Sequence, residues 1–474
     1  MTLHIPFDNS YARLDERFYT KMKPSQVARP ELIAINDELA RDLGIDPAAL
    51  SSQDGLDVLA GNKVPEGADP LAQVYAGHQF GGWSPRLGDG RALLLGEVVS
   101  SSGARFDIQL KGSGPTPYSR MGDGRAWVGP VMREYIISEA MHHLGVPTTR
   151  ALAAVTTGET VVREAPYPGA VLTRVASSHI RVGTFQYFAS QRDTEALEAL
   201  AAHAISRHAP GAETALDLLE VVIEKQAALV AKWMGLGFIH GVMNTDNMTI
   251  SGETIDYGPC AFMDTFHPMR VFSSIDQQGR YAYGRQPDMA MWNLVQLATA
   301  LMPLIGNVED AQAKIDRFPE LFREAWLEEF RKKIGLRSEE NEDATLIHDL
   351  LDRMKDQNAD FTNTFRALGN GNARDEFLDP SAFEKWEVTW RDRLKRESAA
   401  PEDLWEELNA TNPALIPRTH RIEQAIQAAV RGDHDLFHRL NKAYLSPYDL
   451  QDDALDLTRP PSEEEVVPQT FCGT

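Results

Sequence analysis

The sequence predicts an α+β chain in two lobes, a small β-rich N-terminal lobe and a large helical C-terminal lobe. Three observations carry that expectation. Glycines crowd residues 71–125 and separate short apolar runs, the signature of a small sheet with functional loops. After about residue 190, alanine- and leucine-rich segments repeat their apolar positions at the helical period. The chain has 474 residues, 43% hydrophobic and 24% charged, enough for a large core and two or three domains.

Taken in order, residues 1–60 form a polar N-terminal extension with one helix over about 29–43. Residues 61–180 form the β-rich, nucleotide-binding lobe. Its glycines are Gly77, Gly81, Gly82, Gly88, Gly90, Gly96, Gly112, Gly114, Gly122 and Gly124. Between them, 92–100 and 106–110 read as strands. A helix is expected over 130–144, opened by Pro130 and stopped by Gly145. Residues 181–435 form the helical lobe. It has helices at 194–207 and 213–236, the second with Leu218, Val222, Leu229 and Trp233 on one face, and several more over 287–435. Phe322, Trp326 and Phe330, four residues apart, read as a core stripe. Residues 436–474 read as a C-terminal tail with a mobile acidic stretch near 460–465.

Composition narrows the function. A net charge of −22 argues against nonspecific attraction to nucleic acid or anionic membrane. No run of 18 uninterrupted apolar residues occurs, so no membrane span is expected. The first eleven residues lack an apolar signal core. Two cysteines, Cys260 and Cys472, exclude a disulfide scaffold and an all-cysteine metal cage. A cytoplasmic monomer is the resulting expectation. The absence of G-x-x-x-x-G-K-[ST] argues against a P-loop enzyme, and the absence of H-E-x-x-H and paired C-x-x-C argues against zinc.

The chemistry concentrates in residues 240–258. Protein kinases use H-R-D-x-x-x-x-N followed by D-F-G. Here His240 precedes Asn247 by seven residues, and Asp256-Tyr257-Gly258 follows. The kinase base position holds Val242, which cannot accept a proton, and a carboxylate, Asp246, stands beside Asn247 instead. Upstream, Gly88-Asp89-Gly90-Arg91 precedes a strand, Lys111 ends the next strand, and Glu134 lies on the following helix within reach of Lys111. These are the parts of a phosphate-handling site in kinase order: a glycine-lined loop, a lysine, a carboxylate that orients it, and oxygen ligands. Asn247 and Asp256 suit Mg2+ or Mn2+. The loop with Gly112, Gly114, Asp123 and Gly124 offers backbone amides to anions. Arg174 and Arg181, near the junction of the lobes, are either bidentate phosphate contacts or surface ion pairs.

Longer segments add a resemblance. Tyr75-Ala76-Gly77-His78-Gln79-Phe80-Gly81, Leu87-Gly88-Asp89-Gly90-Arg91, Gln109-Leu110-Lys111-Gly112-Ser113-Gly114, His240 to Asn247, Ile255-Asp256-Tyr257-Gly258-Pro259 and Gln278-Gly279-Arg280-Tyr281 resemble the selenoprotein O family of protein adenylyltransferases. The likeness runs from about residue 7 to the end. It implies a protein-kinase-like fold that binds ATP, in some members UTP, flipped relative to kinases. AMP then passes to Ser, Thr or Tyr hydroxyls of proteins. By matching position, Gly88, Gly90, Arg91, Lys111, Asp123, Gly124, Arg174, Arg181 and Asp256 would contact nucleotide. Glu134 would pair with Lys111, Asn247 and Asp256 would hold the metal, and Asp246 would accept the proton. Cys472 occupies the place of the family's selenocysteine. In some bacterial members a C-terminal cysteine pairs with one in the activation segment, but residues 269–274 hold none here; Cys260 is then either the available partner of Cys472 or a buried small apolar residue. Two other readings stay open, a kinase-like phosphotransferase and a non-catalytic nucleotide-binding scaffold; the intact Lys111, Glu134, Asn247 and Asp256 argue against the scaffold.

Overall fold

The N-terminal half is organised by one antiparallel sheet whose two faces do different work. The computed structural model describes residues 3–397 and 401–471. Strands β1 (Tyr19–Lys21), β2 (Glu31–Ile35), β3 (Leu71–Gln73), β6 (Ala92–Val99), β7 (Arg105–Lys111), β9 (Arg150–Val162) and β10 (Pro166–Ala176) run in the order β1-β3-β6-β7-β10-β9-β2, with β8 (Ala126–Trp127) pairing β10. A separate hairpin joins β4 (Gly77–Gln79) to β5 (Gly82–Ser84). Helices α1 (Asp37–Asp42), α2 (Pro47–Leu50) and α3 (Gln53–Leu59) cover one face of the sheet. There Leu39, Leu43, Leu50 and Leu59 pack on Ile108, Leu110, Val171 and Val175.

Side chains alternate across a strand, so Gln109 and Lys111 of β7 face the other way. Arg174 of β10 is registered opposite Gln109 and shares that face. Helix α4 (Val128–His143) lies over it and is buried on nearly every side, packing against β9, β10 and the C-terminal helices. The fold thus delivers Lys111, Arg174 and Glu134 of α4 to one buried place.

The rest is helical: α5 (Val182–Gln191), α6 (Thr194–His208), α7 (Ala215–Gly235), α8 (Gln286–Ile305), α9 (Val308–Ile315), α10 (Phe318–Lys333), α11 (Asp343–Asp356), α12 (Phe361–Leu368), α13 (Pro380–Leu394), α14 (Pro401–Thr411), α15 (Thr419–Val430) and α16 (Asp435–Ala443). Thr214 and Asp217 form a capping box that starts α7, each side chain accepting from the other's backbone N–H. The helix runs into β11 (Phe238–Ile239), which pairs antiparallel with β12 (Ala261–Phe262). Residues 240–260 are therefore held as a loop between two paired strands. Phe330 and Trp326 are buried with ring centroids 4.5 Å apart, as expected of a core stripe. No helix among the described residues is long and apolar enough to cross a membrane.

Several elements differ from expectation. Residues 29–43 are not one helix. Glu31–Ile35 pairs antiparallel with β9 as strand β2, and Asn36, accepting from Leu39 N–H at 3.0 Å, starts α1 afresh. The 1–60 segment supplies both edge strands of the sheet. The long strands β9 and β10 were not anticipated, and α5 starts at Val182, earlier than the helical pattern suggests. Residues 436–471 are not a loose tail: Phe437 of α16 packs edge-on against Tyr135 of α4 at 5.4 Å. Thr470 pairs with the 272–274 segment, and Arg459 meets Glu465 at 2.6 Å. Cys260 is buried; Cys472 lies outside the described residues.

One buried ion cluster ties the helical half together. Arg418, just before α15, donates to Asp264 Oδ1 at 2.5 Å, to Asp360 Oδ2 at 2.8 Å and to Asn363 Oδ1 at 3.0 Å. Breaking such a cluster leaves buried carboxylates without their counter-ion. Arg418→Met should cost about 3–5 kcal/mol, read as a lowered urea midpoint; an unchanged midpoint contradicts this role.

Candidate active site

A cavity of about 460 Å³ opens between the α4 face of the sheet and the 240–258 loop. Its lining includes all twelve site residues expected from sequence: Gly88, Gly90, Arg91, Lys111, Asp123, Gly124, Glu134, Arg174, Arg181, Asp246, Asn247 and Asp256. They come from β7, β10, α4, the start of α5 and three loops. Their convergence is a property of the fold rather than of any one motif.

The buried end is an ion cluster centred on Asp256. Lys111 Nζ donates to Asp256 Oδ1 at 2.9 Å and also to Glu134 Oε2. Arg174 Nη1 reaches the same Asp256 oxygen at 2.7 Å and Glu134 Oε1 at 3.1 Å, while its Nη2 donates to Gln109 at 2.6 Å. Arg181 lies 3.4 Å from Asp256 Oδ2 and stacks over the Tyr75 ring at 4.5 Å. Both arginines are 2% exposed, so the surface-ion-pair reading of Arg174 and Arg181 is excluded. The burial follows from the inward register of β10 and from the position of Arg181 at the start of α5. Burial by itself would raise the Asp256 carboxyl, but Lys111, Arg174 and Arg181 together hold it well below the usual carboxylate range. Lys111, Arg174 and Arg181 gather here against Glu134, Asp256 and, 3.9 Å from Arg181, the buried Asp89; their N–H donors suit phosphate oxygens.

The opposite wall is the 240–247 loop. His240 stacks on Trp233 and bonds Ile255 O through Nε2 at 2.9 Å, while its Nδ1 takes the Val242 N–H at 3.4 Å. It is thus a neutral buried tie between the loop and the Asp256 segment. Asn247 spends its amide N–H on Val242 O at 3.0 Å, which leaves its Oδ1 as an acceptor. Val242 is buried on the cavity wall. Asp246 accepts from Gln79 Nε2 at 3.2 Å through Oδ2, and its buried Oδ1 has no hydrogen-bond partner. Burial pushes its carboxyl up to about 6, against the pull of Arg181, which suits a general base near neutral pH. Gly77 permits the approach: a Cβ there would come within 2.9 Å of Asp246 Oδ1.

At the glycine-lined loop, Gly88 has φ +73°, and a Cβ on it would fall 2.4 Å from Tyr118 Cγ. A second loop, 116–120, takes up that space. Thr116 Oγ1 donates to Asp89 O at 2.7 Å and Ser119 Oγ to Gly90 O. Asp89 itself is buried and accepts from Gln73 N–H at 3.0 Å. Arg91 makes no ion pair among the described residues. Toward the mouth, Asp123 is held by Arg163 at 2.9 Å, and Gly124 O accepts from Gly114 N–H at 3.0 Å.

No cluster of three or more His, Cys, Asp or Glu able to hold a metal occurs among the described residues. Asn247 Oδ1 and the Asp256 carboxylate, both of whose oxygens here face Lys111, Arg174 and Arg181, are oxygen donors of the type Mg2+ or Mn2+ takes. These hard cations keep waters and substrate phosphates as most of their ligands and need only one or two protein oxygens. Tyr75, Gln79, Asn244 and Arg163 also belong to the site and carried no assigned role from sequence. The first three sit inside motifs noted in the sequence, but only the fold reveals that Gln79 meets Asp246 from 167 positions away.

Residues 1–444 match the family described as protein adenylyltransferase SelO. The chain is 61% identical, over 100% of both lengths, to a protein of Ruegeria sp. (strain TM1040) named protein nucleotidyltransferase YdiU. Proteins of the same name from Roseobacter denitrificans and Bradyrhizobium diazoefficiens are 58% and 55% identical, again over 100% of both lengths.

Burial also pushes the Asp89 carboxyl up to about 6, from an ordinary 3.8. A carboxyl whose folded value is raised favours the folded state while protonated, and that advantage is lost as pH rises from about 4 through about 6. Asp89→Asn should therefore gain on the parent protein over that range, reaching on the order of 2 kcal/mol above pH 6. Urea unfolding between pH 5 and 8 tests it; a gap that does not grow with pH contradicts the assignment.

Proposed function

The chain belongs to the SelO family of protein adenylyltransferases, and from that premise we propose how its residues carry out nucleotidyl transfer to protein. ATP is the nucleotide, with UTP as an alternative, and the acceptors are Ser, Thr and Tyr hydroxyls. The architecture is protein-kinase-like: residues 61–180 form the nucleotide-binding lobe, 181–435 the helical lobe, 1–60 an extension and 436–474 a C-terminal segment. The nucleotide lies flipped relative to a kinase. The observation that carries this reading is the split of charge in the cavity. Lys111, Arg174 and Arg181 gather on Asp256 at its buried end, and Asp246, with one oxygen unpaired, forms no ion pair with them and stands beside Asn247.

The most highly charged part of the nucleotide, its β- and γ-phosphates, goes to the cationic end, where Arg174 and Arg181 supplement Lys111. Glu134 keeps Lys111 in place. Gly88, Gly90, Arg91, Asp123 and Gly124 line the path of the remainder of the nucleotide. The α-phosphate is left facing Asp246. The acceptor hydroxyl oxygen bonds to the α-phosphorus, its proton passes to Asp246, and the bond to the bridging oxygen breaks to release pyrophosphate. Asn247 and Asp256 would hold Mg2+ or Mn2+, which when bound neutralises phosphate charge. Val242 makes sense in this arrangement, because the position that serves γ-phosphoryl transfer is no longer where the proton leaves.

Two outcomes test the reading. Protein incubated with α-labelled ATP becomes labelled and protein incubated with γ-labelled ATP does not; the reverse pattern makes the chain a phosphotransferase. Asp246→Ala retains ATP binding but loses about 10²–10⁴-fold in transfer rate, and undiminished transfer removes Asp246 from the base role.

A further inference from the structure

The rim of the cavity carries an apolar patch that nucleotide chemistry does not require. The hairpin of β4 and β5 turns through Phe80 and Gly81, with φ of +52° and +83°. Two-residue turns with both φ positive favour Asn-Gly or Asp-Gly, and a bulky aromatic residue in that region is an outlier. Strain of this kind persists where the surroundings enforce it, and here they do. Phe80 N–H donates to Asn244 Oδ1 at 3.0 Å, and His78 N–H donates to Thr245 Oγ1 at 2.7 Å. Tyr281 OH also bonds Asn244 Oδ1, at 2.7 Å, and its ring meets Phe80 edge-on at 5.2 Å. The turn is thereby stapled to the loop that bears Asp246 and Asn247.

The side chain held this way is not buried. Phe80 is 37% exposed and Trp83, on the return strand, 43%. Ile275, 56% exposed, lines the same cavity as Phe80. Trp83 rests on His78, and His78 in turn on Trp292, with centroids 4.9 and 5.3 Å apart, so the hairpin is supported from behind. The strained turn thus holds an aromatic ring partly open to solvent beside the group read as the base, a backbone outlier of the kind that clusters at ligand clamps.

We propose that Phe80, Trp83 and Ile275 form the docking rim for the acceptor polypeptide, gripping a bulky apolar residue next to the hydroxyl that receives the nucleotide. The occupant is a protein segment because the family's acceptors are proteins and because Phe80 and Ile275 line the cavity that the hydroxyl must enter, with Trp83 on the return strand of the same hairpin. The proposal rests on the reading of Asp246 as the acceptor end of that cavity.

Phe80→Asn is the informative variant, because asparagine adopts the left-handed turn readily and removes only the ring. Ile275→Ser is a second change at an exposed position. The probe is a degenerate peptide library with a central Ser, Thr or Tyr, labelled from α-labelled ATP. The parent protein should prefer Leu or Phe adjacent to the acceptor, and each variant should raise the KM for such peptides about tenfold with the KM for ATP unchanged. A parent with no apolar preference, or none of the library labelled, overturns the proposal. So do variants that keep the preference, or that raise both KM values together. Asp246→Ala, run on the same library, separates the two layers. If its transfer is undiminished, the reading of the site fails; if transfer drops about 10²–10⁴-fold while Phe80→Asn keeps the preference, only the docking rim fails.

Discussion

The arrangement depends on one carboxylate, Asp256, and the three cations that share it. Lys111 arrives from the sheet, Arg174 from the neighbouring strand and Arg181 from the start of α5, and all three approach the two oxygens of a residue on the 240–258 loop. A buried charge cluster tolerates little displacement, because desolvated ions are stable only while paired. This interaction therefore fixes the sheet against the helical half of the chain. Asp256 adopts φ +62°, a left-handed conformation that aspartate accepts more readily than most residues and that the three cations hold.

The same cluster sets the chemistry. Glu134, Asp256 and the more distant Asp89 offset its positive charge, and its guanidinium and ammonium donors suit phosphate oxygens. Asp246 has the opposite character: it has Gln79 for one oxygen and nothing for the other, in a buried setting that lifts its carboxyl toward neutrality. Asp256, with its cations, and the Asp246 carboxylate are thus carried by one loop, whose ends are fastened by the β11–β12 pair and by His240.

Lys111, Glu134, Asn247 and Asp256 were legible in the sequence because their spacing and order reproduce a motif whose parts serve one reaction. Arg174 and Arg181 were ambiguous, since an arginine reads alike whether it ends inside or outside. The register of β10 against β7 decides the matter, and no local signal encodes it. Strands β9 and β10 escaped notice because they mix apolar residues with Thr, Gly and Pro, a pattern that settles only when neighbouring strands pair. The 29–43 segment misled because its apolar spacing fits a helix; partners in the sheet overrode that propensity. Gln79 and Tyr75 lay in a conspicuous motif, yet their partners are distant in the chain.

The central claim is that the cationic end of the cavity takes the outer phosphates and leaves the α-phosphorus to Asp246. A crystal structure with a non-hydrolysable ATP analogue and Mg2+ tests it most directly. The account predicts the γ-phosphate against Lys111, Arg174 and Arg181, with the α-phosphate nearest the Asp246 carboxylate. A γ-phosphate beside Asp246, with the α-phosphate at the arginines, would contradict it.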